Sequence, residues 1–269
     1  MGTFKKIIKD LLPPVVVKLY KNRVFQYGLF GNYLSWDEAK KHATGYDSEI
    51  ILEKVKNSLL KVKTGAAVHE RDSVLFQKTE YSWPLLAGLL KASANGGELR
   101  VLDFGGSLGT TYFQNRIFLR DLKKVQWSIV EQKNFVAVGK RFFEDQQLKF
   151  YDNLDICVRE TNPNVIILSS SIQYIEEPYK LLERLLNFGA EYLIVDRTPL
   201  ISEKSRIVIQ KVNPIIYNAS YPSWLLNESE LVSFLQQRYS LLVDFDAIDG
   251  VWFCGNVTVR HRGYIFKKI

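Results

Sequence analysis

From residue 100 onward, short β-branched segments alternate with stretches of helical periodicity. This alternation is typical of βαβ units, in which successive strands lie parallel and helices cover the sheet. No helical segment separates the last two strands, so they can pair as an antiparallel hairpin. The sequence therefore predicts an α/β, Rossmann-like fold with a seven-stranded, mostly parallel sheet. The predicted strands are Arg100–Phe104, Gln126–Glu131, Leu148–Tyr151, Val165–Ser169, Tyr192–Asp196, Leu241–Ala247 and Arg262–Lys267.

Three regions are expected along the 269 residues. Residues 1–23 form a basic amphipathic segment, residues 24–99 have helical periodicity and form an N-terminal helical cap, and residues 100–269 form the sheet domain. A chain of this length can build one α/β domain with an extension. Its 46% hydrophobic content is that of a globular protein.

The positive charge is concentrated at the N-terminus. Residues 1–23 carry +5 of the net +7, so the remainder is nearly neutral. A nucleic-acid groove needs a basic stripe on the folded domain, so we expect no nucleic-acid partner. Apolar residues in the first twelve positions recur with helical spacing, with lysines on the other face. Such a helix can lie on an anionic membrane surface or pack on its own domain, and the sequence leaves both open.

Cysteine and histidine usage predicts neither a disulfide framework nor a metal site. Cys157 and Cys254 are the only cysteines, and no two of the three histidines have the i, i+3 or i, i+4 spacing of ligands on one helix face. Both thiols are expected to be buried in a reducing compartment. Without an export signal or an apolar run of about 18 residues, the chain is expected in the cytoplasm, with membrane contact only through residues 1–23.

A glycine-rich loop, VLDFGGSLG at residues 101–109, follows the first predicted strand. In an open α/β sheet, ligands bind at the carboxyl ends of the strands, although many glycine turns bind nothing. The dinucleotide pattern G-x-G-x-x-G fails twice, because Ser107 and Thr110 replace its second and third glycines. No Gly-Lys-Ser/Thr follows, which excludes a P-loop. The carboxylate of Asp103 would repel a phosphate and suit a cationic ligand.

This loop resembles motif I of the class I S-adenosylmethionine-dependent methyltransferases. The resemblance implies that S-adenosyl-L-methionine is the cofactor, held by Asp103, Gly105, Gly106, Ser107 and Gly109, and that the acid orients the loop or the amino group of the cofactor. Ser107 stands where the family usually has its middle glycine.

The same resemblance leads to further cofactor residues at the ends of later strands. Glu131, with Gln132 beside it, ends the second strand, where a carboxylate can accept hydrogen bonds from ribose hydroxyls. Asp152 and Asn153 follow the third strand, and either can meet the adenine edge. Ser169 and Ser170 end the fourth strand and border both cofactor and substrate.

A narrower resemblance covers nearly the whole chain. The sequence is similar to bacterial methyltransferases often encoded among surface-polysaccharide biosynthesis genes, which implies methyl transfer without naming the acceptor. The stretches that carry it are LLPP at 11–14, FGNYLSWDEA at 30–39, GYDSEIILEKV at 45–55, ERDSVLF at 70–76, YSWPLLAGLL at 81–90, LDFGGSLG at 102–109, LSSSIQYIEEP at 168–178 and VDRTPL at 195–200.

Four residues are candidates for catalysis: His69, Tyr174, Asp196 and Arg197. His69 is a candidate general base because its unperturbed pKa lies near neutrality. Arg197 could bind an anionic acceptor. An ion pair joining cap to sheet, such as Arg71 with Asp196, is the structural alternative, since charges beside a buried strand need a partner.

We therefore expect a methyltransferase that O-methylates a glycan or glycolipid precursor of the cell surface. Two other hypotheses stay open at this point. One is an inactive methyltransferase-like adaptor at the membrane, and the other is an NAD(P)-dependent oxidoreductase.

Overall fold

The computed structural model describes residues 27–45 and 49–269. The helix predicted within residues 1–23 lies outside them, so its contact with a membrane stays a prediction. No helix in the described ranges is both long and apolar enough to cross a bilayer.

The described chain alternates between strands and helices. The helices are α1 (Trp36–Lys41), α2 (Glu49–Lys63), α3 (Trp83–Ser93), α4 (Thr110–Leu119), α5 (Lys133–Phe142), α6 (Leu154–Thr161), α7 (Pro178–Phe188) and α8 (Glu228–Leu235). The strands are β1 (Gly28–Tyr33), β2 (His69–Arg71), β3 (Val74–Phe76), β4 (Glu98–Phe104), β5 (Lys124–Val130), β6 (Leu148–Tyr151), β7 (Val165–Ser169), β8 (Tyr192–Ile201), β9 (Arg206–Lys211), β10 (Ser220–Asn227), β11 (Tyr239–Cys254) and β12 (Val257–Lys268).

The predicted α/β fold is confirmed. Five strands lie parallel in the order β6, β5, β4, β7, β8, and β12 pairs antiparallel with the free edge of β8. The C-terminal strands β11 and β12 pair with each other as the predicted hairpin. The chain runs outward from β4 through β5 to β6 and then returns to β7 on the other side of β4. The crevice between the carboxyl ends of β4 and β7 is thus the switch point, where ligands bind in open α/β sheets.

Two helices begin at the side chains that the sequence favours as caps. The Oγ of Ser35 accepts a hydrogen bond from the Glu38 N–H at 3.1 Å, and the Oδ1 of Asn227 accepts one from the Glu230 N–H at 2.8 Å. Each satisfies a donor that has no partner inside its helix.

Apolar residues fill both faces of the sheet. One cluster lies between the sheet and α2 to α5 and includes Leu89, Phe113 and Trp127, all buried. The other lies against α6, α7 and α8 and includes Leu185 and Leu231. Helices therefore cover both faces, as a parallel sheet requires. Both cysteines are buried and unpaired, as expected.

The structure has more strands than the seven predicted. The sheet has ten, because β1, β9 and β10 extend it, and β2 pairs with β3 in a separate two-stranded sheet. Strand β10 contains Pro222, which argues against a strand in a sequence. Strands β2 and β3 have only three residues each, too few for a period to appear. The described part of residues 24–99, predicted as a helical cap, holds α1 to α3, the short strands β1 to β3 and the first two residues of β4.

Candidate functional site

The carboxyl ends of β4, β5, β6 and β7 and the middle of β8 border one cavity of about 1170 Å³. Ligand pockets usually measure about 300–1,000 Å³, so this volume has room for a cofactor beside a second molecule. Every residue proposed from the sequence for cofactor binding or catalysis lines it, with the exception of Gly109. Gly109 has φ +105° and lies against the core, where an added Cβ would be 3.3 Å from Leu148.

The glycine loop needs two of its glycines for different reasons. Gly105 has φ +71°, and its N–H donates to the Val130 carbonyl at 2.9 Å. A Cβ there would come within 2.7 Å of the Cβ of Ser171, and one at Gly106 would come within 2.5 Å of the Asp103 carboxyl carbon. Real Cβ atoms do not approach so closely, so a side chain at either position would displace the loop.

Asp103 lies beneath this loop rather than in open solvent. It is fully buried, and the Nε1 of Trp127 donates to its Oδ2 at 3.0 Å. Burial raises the pKa of Asp103 to about 7, since a carboxylate is poorly solvated there, while the Trp127 hydrogen bond opposes this shift. The carboxyl group therefore supports the loop from below and also borders the cavity.

The raised pKa of Asp103 has a measurable effect on stability. The pKa of Asp103 is about 7 in the folded protein and has its ordinary value of 3.8 in the unfolded chain. The protonated carboxyl group therefore contributes fully to stability below pH 3.8, and this contribution is lost as pH rises through 7. Asp103→Asn has no such titration. We expect the stability of the variant relative to the wild type to rise by roughly 2 kcal/mol between pH 5 and 7, measured by urea unfolding. A difference that stays constant with pH would contradict the buried titration.

Glu131 lies at the end of β5, next to the glycine loop. Its Oε2 accepts a hydrogen bond from the Gln132 N–H at 2.7 Å, and the Ser107 backbone also donates to the carboxylate. Burial raises its pKa. A carboxylate has about four acceptor positions, so capacity remains for a diol in the cavity. Asp152 is exposed at the rim, while its neighbour Asn153 caps α6 by accepting from the Ile156 N–H.

The segment after β7 brings polar groups to the opposite wall. Ser170 has φ +53°, and its N–H donates to the Asp196 carbonyl at 3.0 Å. The Nε2 of Gln173 donates to the Ser170 Oγ, and the Tyr174 hydroxyl donates to the Oε1 of Gln210 at 2.9 Å. The Oε1 of Gln173 is buried without a hydrogen-bond partner among the described residues. Buried polar atoms are rarely left unpaired, so this wall offers an acceptor for a ligand.

Arg197 links three parts of the chain at the cavity wall. Its Nε donates to the Oδ2 of Asp249 at 2.8 Å, and one Nη donates to Asp72 at 2.9 Å. Burial opposes the positive charge of Arg197, but the two carboxylates outweigh it and raise its pKa. The ion pair between cap and sheet therefore involves Arg197 with Asp72, not Arg71 with Asp196. Arg71 instead pairs with Glu80 at 3.3 Å. An anionic acceptor near Arg197 would also meet two carboxylates.

Removing the Arg197 charge should destabilise the protein. The Asp249 side chain is only 17% exposed and loses its cation in Arg197→Met, whereas the Asp72 side chain is 61% exposed and stays solvated. We expect a loss of about 2 kcal/mol, measured by urea unfolding, because a largely buried carboxylate is left unpaired. Asp72→Asn is the matched control, with an expected loss under about 1 kcal/mol. An equal loss of unfolding free energy in the two variants would show that the buried Asp249 carboxylate does not depend on Arg197 more than the exposed Asp72 does.

Two further acids and a histidine complete the inner wall. Asp196 is buried, which raises its pKa to about 6, although the Arg197 charge opposes the shift. Glu70 is also buried, with its pKa raised to about 7, and accepts hydrogen bonds from the Thr110 hydroxyl and the Ser73 N–H. Burial lowers the pKa of His69, and its Nε2 has no hydrogen-bond partner among the described residues.

His261 also lines the cavity, although the sequence did not single it out. Its Nδ1 lies 3.1 Å from the Gly250 carbonyl oxygen. Because a carbonyl only accepts, the neutral ring carries its proton on Nδ1 and leaves Nε2 as an acceptor. Burial lowers the pKa of His261, so the ring is neutral at pH 7. No spacing rule connects residue 261 with the glycine loop; pairing of β12 with β8 brings it to the cavity.

The cavity is therefore lined by more carboxyl groups than cations. Glu70, Asp103, Glu131 and Asp196 have no basic side chain paired with them in the described contacts, whereas Arg197 is shared between two other acids. Because burial raises the pKa values of these four acids, their carboxyl groups can donate as well as accept hydrogen bonds, which suits an uncharged polar ligand.

No protein-family model matches the chain, and no curated protein matches it significantly. Solved structures with a related fold are found. The N-terminal domain of EvdMO1, crystallised with S-adenosylhomocysteine and D-fucose, is 11% identical over 81% of this chain and 97% of its own, with a TM-score of 0.48.

Two other solved structures give similar values. An S-adenosylmethionine-dependent methyltransferase from Clostridium acetobutylicum is 12% identical over 71% of this chain and 93% of its own, with a TM-score of 0.45. The N-methyltransferase NodS from Bradyrhizobium japonicum is 9% identical over 69% of this chain and 86% of its own, with a TM-score of 0.41. At these identities the likeness concerns the fold.

Proposed function

We propose that the protein is an S-adenosylmethionine-dependent methyltransferase that O-methylates a glycan or glycolipid precursor of the cell surface. The observation that carries the proposal is the meeting of the glycine loop and the Glu131 carboxylate in one cavity at the switch point of the sheet. A strand-end acid beside a glycine turn suits a nucleoside, because it can accept both hydroxyl hydrogens of the ribose.

The residues present fit this cofactor. The backbone of Gly105 and Gly106 would pack against its methionine part, since neither position has room for a Cβ on the protein side. Glu131 would hold the ribose, and Asp152 at the rim would meet the adenine.

When bound, S-adenosylmethionine supplies an electrophilic methyl group, so the protein contributes mainly alignment. The cavity has room for the acceptor beside the loop, next to Tyr174, Gln173 and Asp196. An acceptor hydroxyl must also lose its proton. We assign this step to the Nε2 of His261, whose ring is held by the Gly250 carbonyl; His69, the base expected from the sequence, is the alternative.

Methyl transfer to surface glycan tests the function directly. Purified protein is incubated with S-adenosylmethionine labelled in the methyl group and with surface glycan extracted from the cells that produce this protein. We expect label in the glycan fraction and released S-adenosylhomocysteine in equal amounts. Cofactor binding without any transfer to this fraction would contradict the proposed acceptor class and favour the inactive adaptor.

A further inference from the structure

A second, smaller cavity opens beside the main one. It measures about 380 Å³ and is lined by Thr79, Glu80, Tyr81, Trp83 and Ile248. This volume lies near the lower end of the range for ligand pockets, about 300–1,000 Å³, and suits a group of the size of one ring.

The aromatic wall of this cavity is exposed, and its rings pack against one another. Trp83 is 59% exposed, and its ring centroid lies 4.8 Å from that of Tyr81 and 5.8 Å from that of Phe118. Packing of the three rings fixes the orientation of the indole while leaving surface for a ligand. Aromatic rings with polar neighbours bind groups that are apolar on one face and polar at the edge, as a sugar ring is.

A bulge in β11 joins the two cavities. Between the pairs Asp246 with Arg262 and Val251 with Arg260, the four residues Ala247–Gly250 of β11 lie opposite the single residue His261 of β12. Within this bulge, Asp249 bonds to Arg197 in the main cavity, and Ile248 lines both cavities. Bulges commonly redirect side chains next to binding sites.

Polar contacts connect the same two spaces. Arg71 and Gln114 line the main cavity, and both bond to Glu80, which lines the smaller one. A molecule extending from the main cavity would therefore pass a continuous wall of Ile248, Arg71 and Glu80 before it reaches Trp83.

We infer that the smaller cavity is a subsite for a second sugar ring, so that the acceptor is a glycan of at least two linked sugars. This inference rests on the proposed function, because the first ring presents its hydroxyl in the main cavity. The adjacent ring stacks on Trp83, with its hydroxyls towards Thr79 and Glu80. A single sugar would leave the smaller cavity unused.

Calorimetry with Trp83→Ala tests the subsite separately from catalysis. The full-length protein, saturated with S-adenosylhomocysteine, is titrated with its own cell's surface glycan, either as intact chains or after acid hydrolysis to monosaccharides. We expect the substitution to raise the Kd for intact chains by about tenfold and to leave monosaccharide binding unchanged. Trp83→Phe should restore most of the affinity.

Phe253→Ala is the matched control, because Phe253 is 57% exposed and lines neither cavity. An unchanged Kd for intact chains in Trp83→Ala, or an equal rise for both preparations, would overturn the subsite. If the wild-type protein binds neither glycan preparation, both the subsite and the proposed acceptor class are overturned. Weaker binding of chains in Trp83→Ala without methyl transfer by the wild type would support the subsite and contradict the enzyme activity.

Discussion

Replacing His261 by alanine is expected to lower the kcat of methyl transfer by about 100-fold or more, because a positioned general base usually contributes about 10²- to 10⁴-fold. The wild type should also lose activity below pH 6.5. Burial lowers the pKa of His261 below its ordinary value of 6.5, so protonation of Nε2 removes the acceptor only below that pH. In His261→Ala this acidic limb should disappear, as measured by pH profiles of kcat/KM.

Two further histidines make this prediction specific. His69→Ala should reduce kcat much less, since the assignment gives His69 no proton to accept. His42→Ala is the matched control, because His42 is exposed and does not line the cavity. A 100-fold loss in His69→Ala with a small change in His261→Ala would show that the base expected from the sequence is the correct one.

Replacing Glu131 by alanine should weaken the binding of S-adenosylhomocysteine by about 10- to 100-fold. A hydrogen bond to a charged group is worth about 1.5–3 kcal/mol, and the carboxylate is proposed to hold both ribose hydroxyls. Glu131→Gln keeps one acceptor oxygen and should show an intermediate loss. The measurement is isothermal titration calorimetry on the purified variants.

Glu183→Gln controls for the loss of a carboxylate in general, because Glu183 is exposed on α7 and does not line the cavity. Its Kd should equal that of the wild type. If Glu131→Ala binds S-adenosylhomocysteine as tightly as this control, the nucleoside does not lie at the end of β5.

The part of the site that lies close to the strand ends could be predicted from the sequence. A glycine turn after a β-branched run, followed by an acid one strand later, is a local pattern whose geometry is fixed by the parallel sheet. Gly105, Gly106 and Glu131 therefore meet where expected. The sequence placed Asp103 in the glycine loop, but it could not predict that this side chain is buried beneath Gly106 and bonded to Trp127. Both features depend on the packing of β5.

The part of the site that depends on long-range pairing could not be predicted. His261 and Asp249 reach the cavity through the pairing of β12 with β8 and through a bulge in β11, and neither leaves a periodic signal in the sequence. The ion pair predicted between Arg71 and Asp196 was wrong for the same reason, because Arg71 pairs with Glu80 and Arg197 pairs with Asp72. A charged turn such as residues 70–73 indicates that a partner exists, whereas the tertiary fold decides which one.

The central claim is that the cavity at the carboxyl ends of β4 and β5 binds the nucleoside of S-adenosylmethionine. Calorimetry of the wild-type protein with S-adenosylhomocysteine and, separately, with NAD⁺ and NADP⁺ tests it most directly. We predict saturable binding of S-adenosylhomocysteine at a stoichiometry near one, abolished by Gly106→Ala, and no binding of either dinucleotide. Binding of a dinucleotide without S-adenosylhomocysteine, or of neither, would contradict the claim.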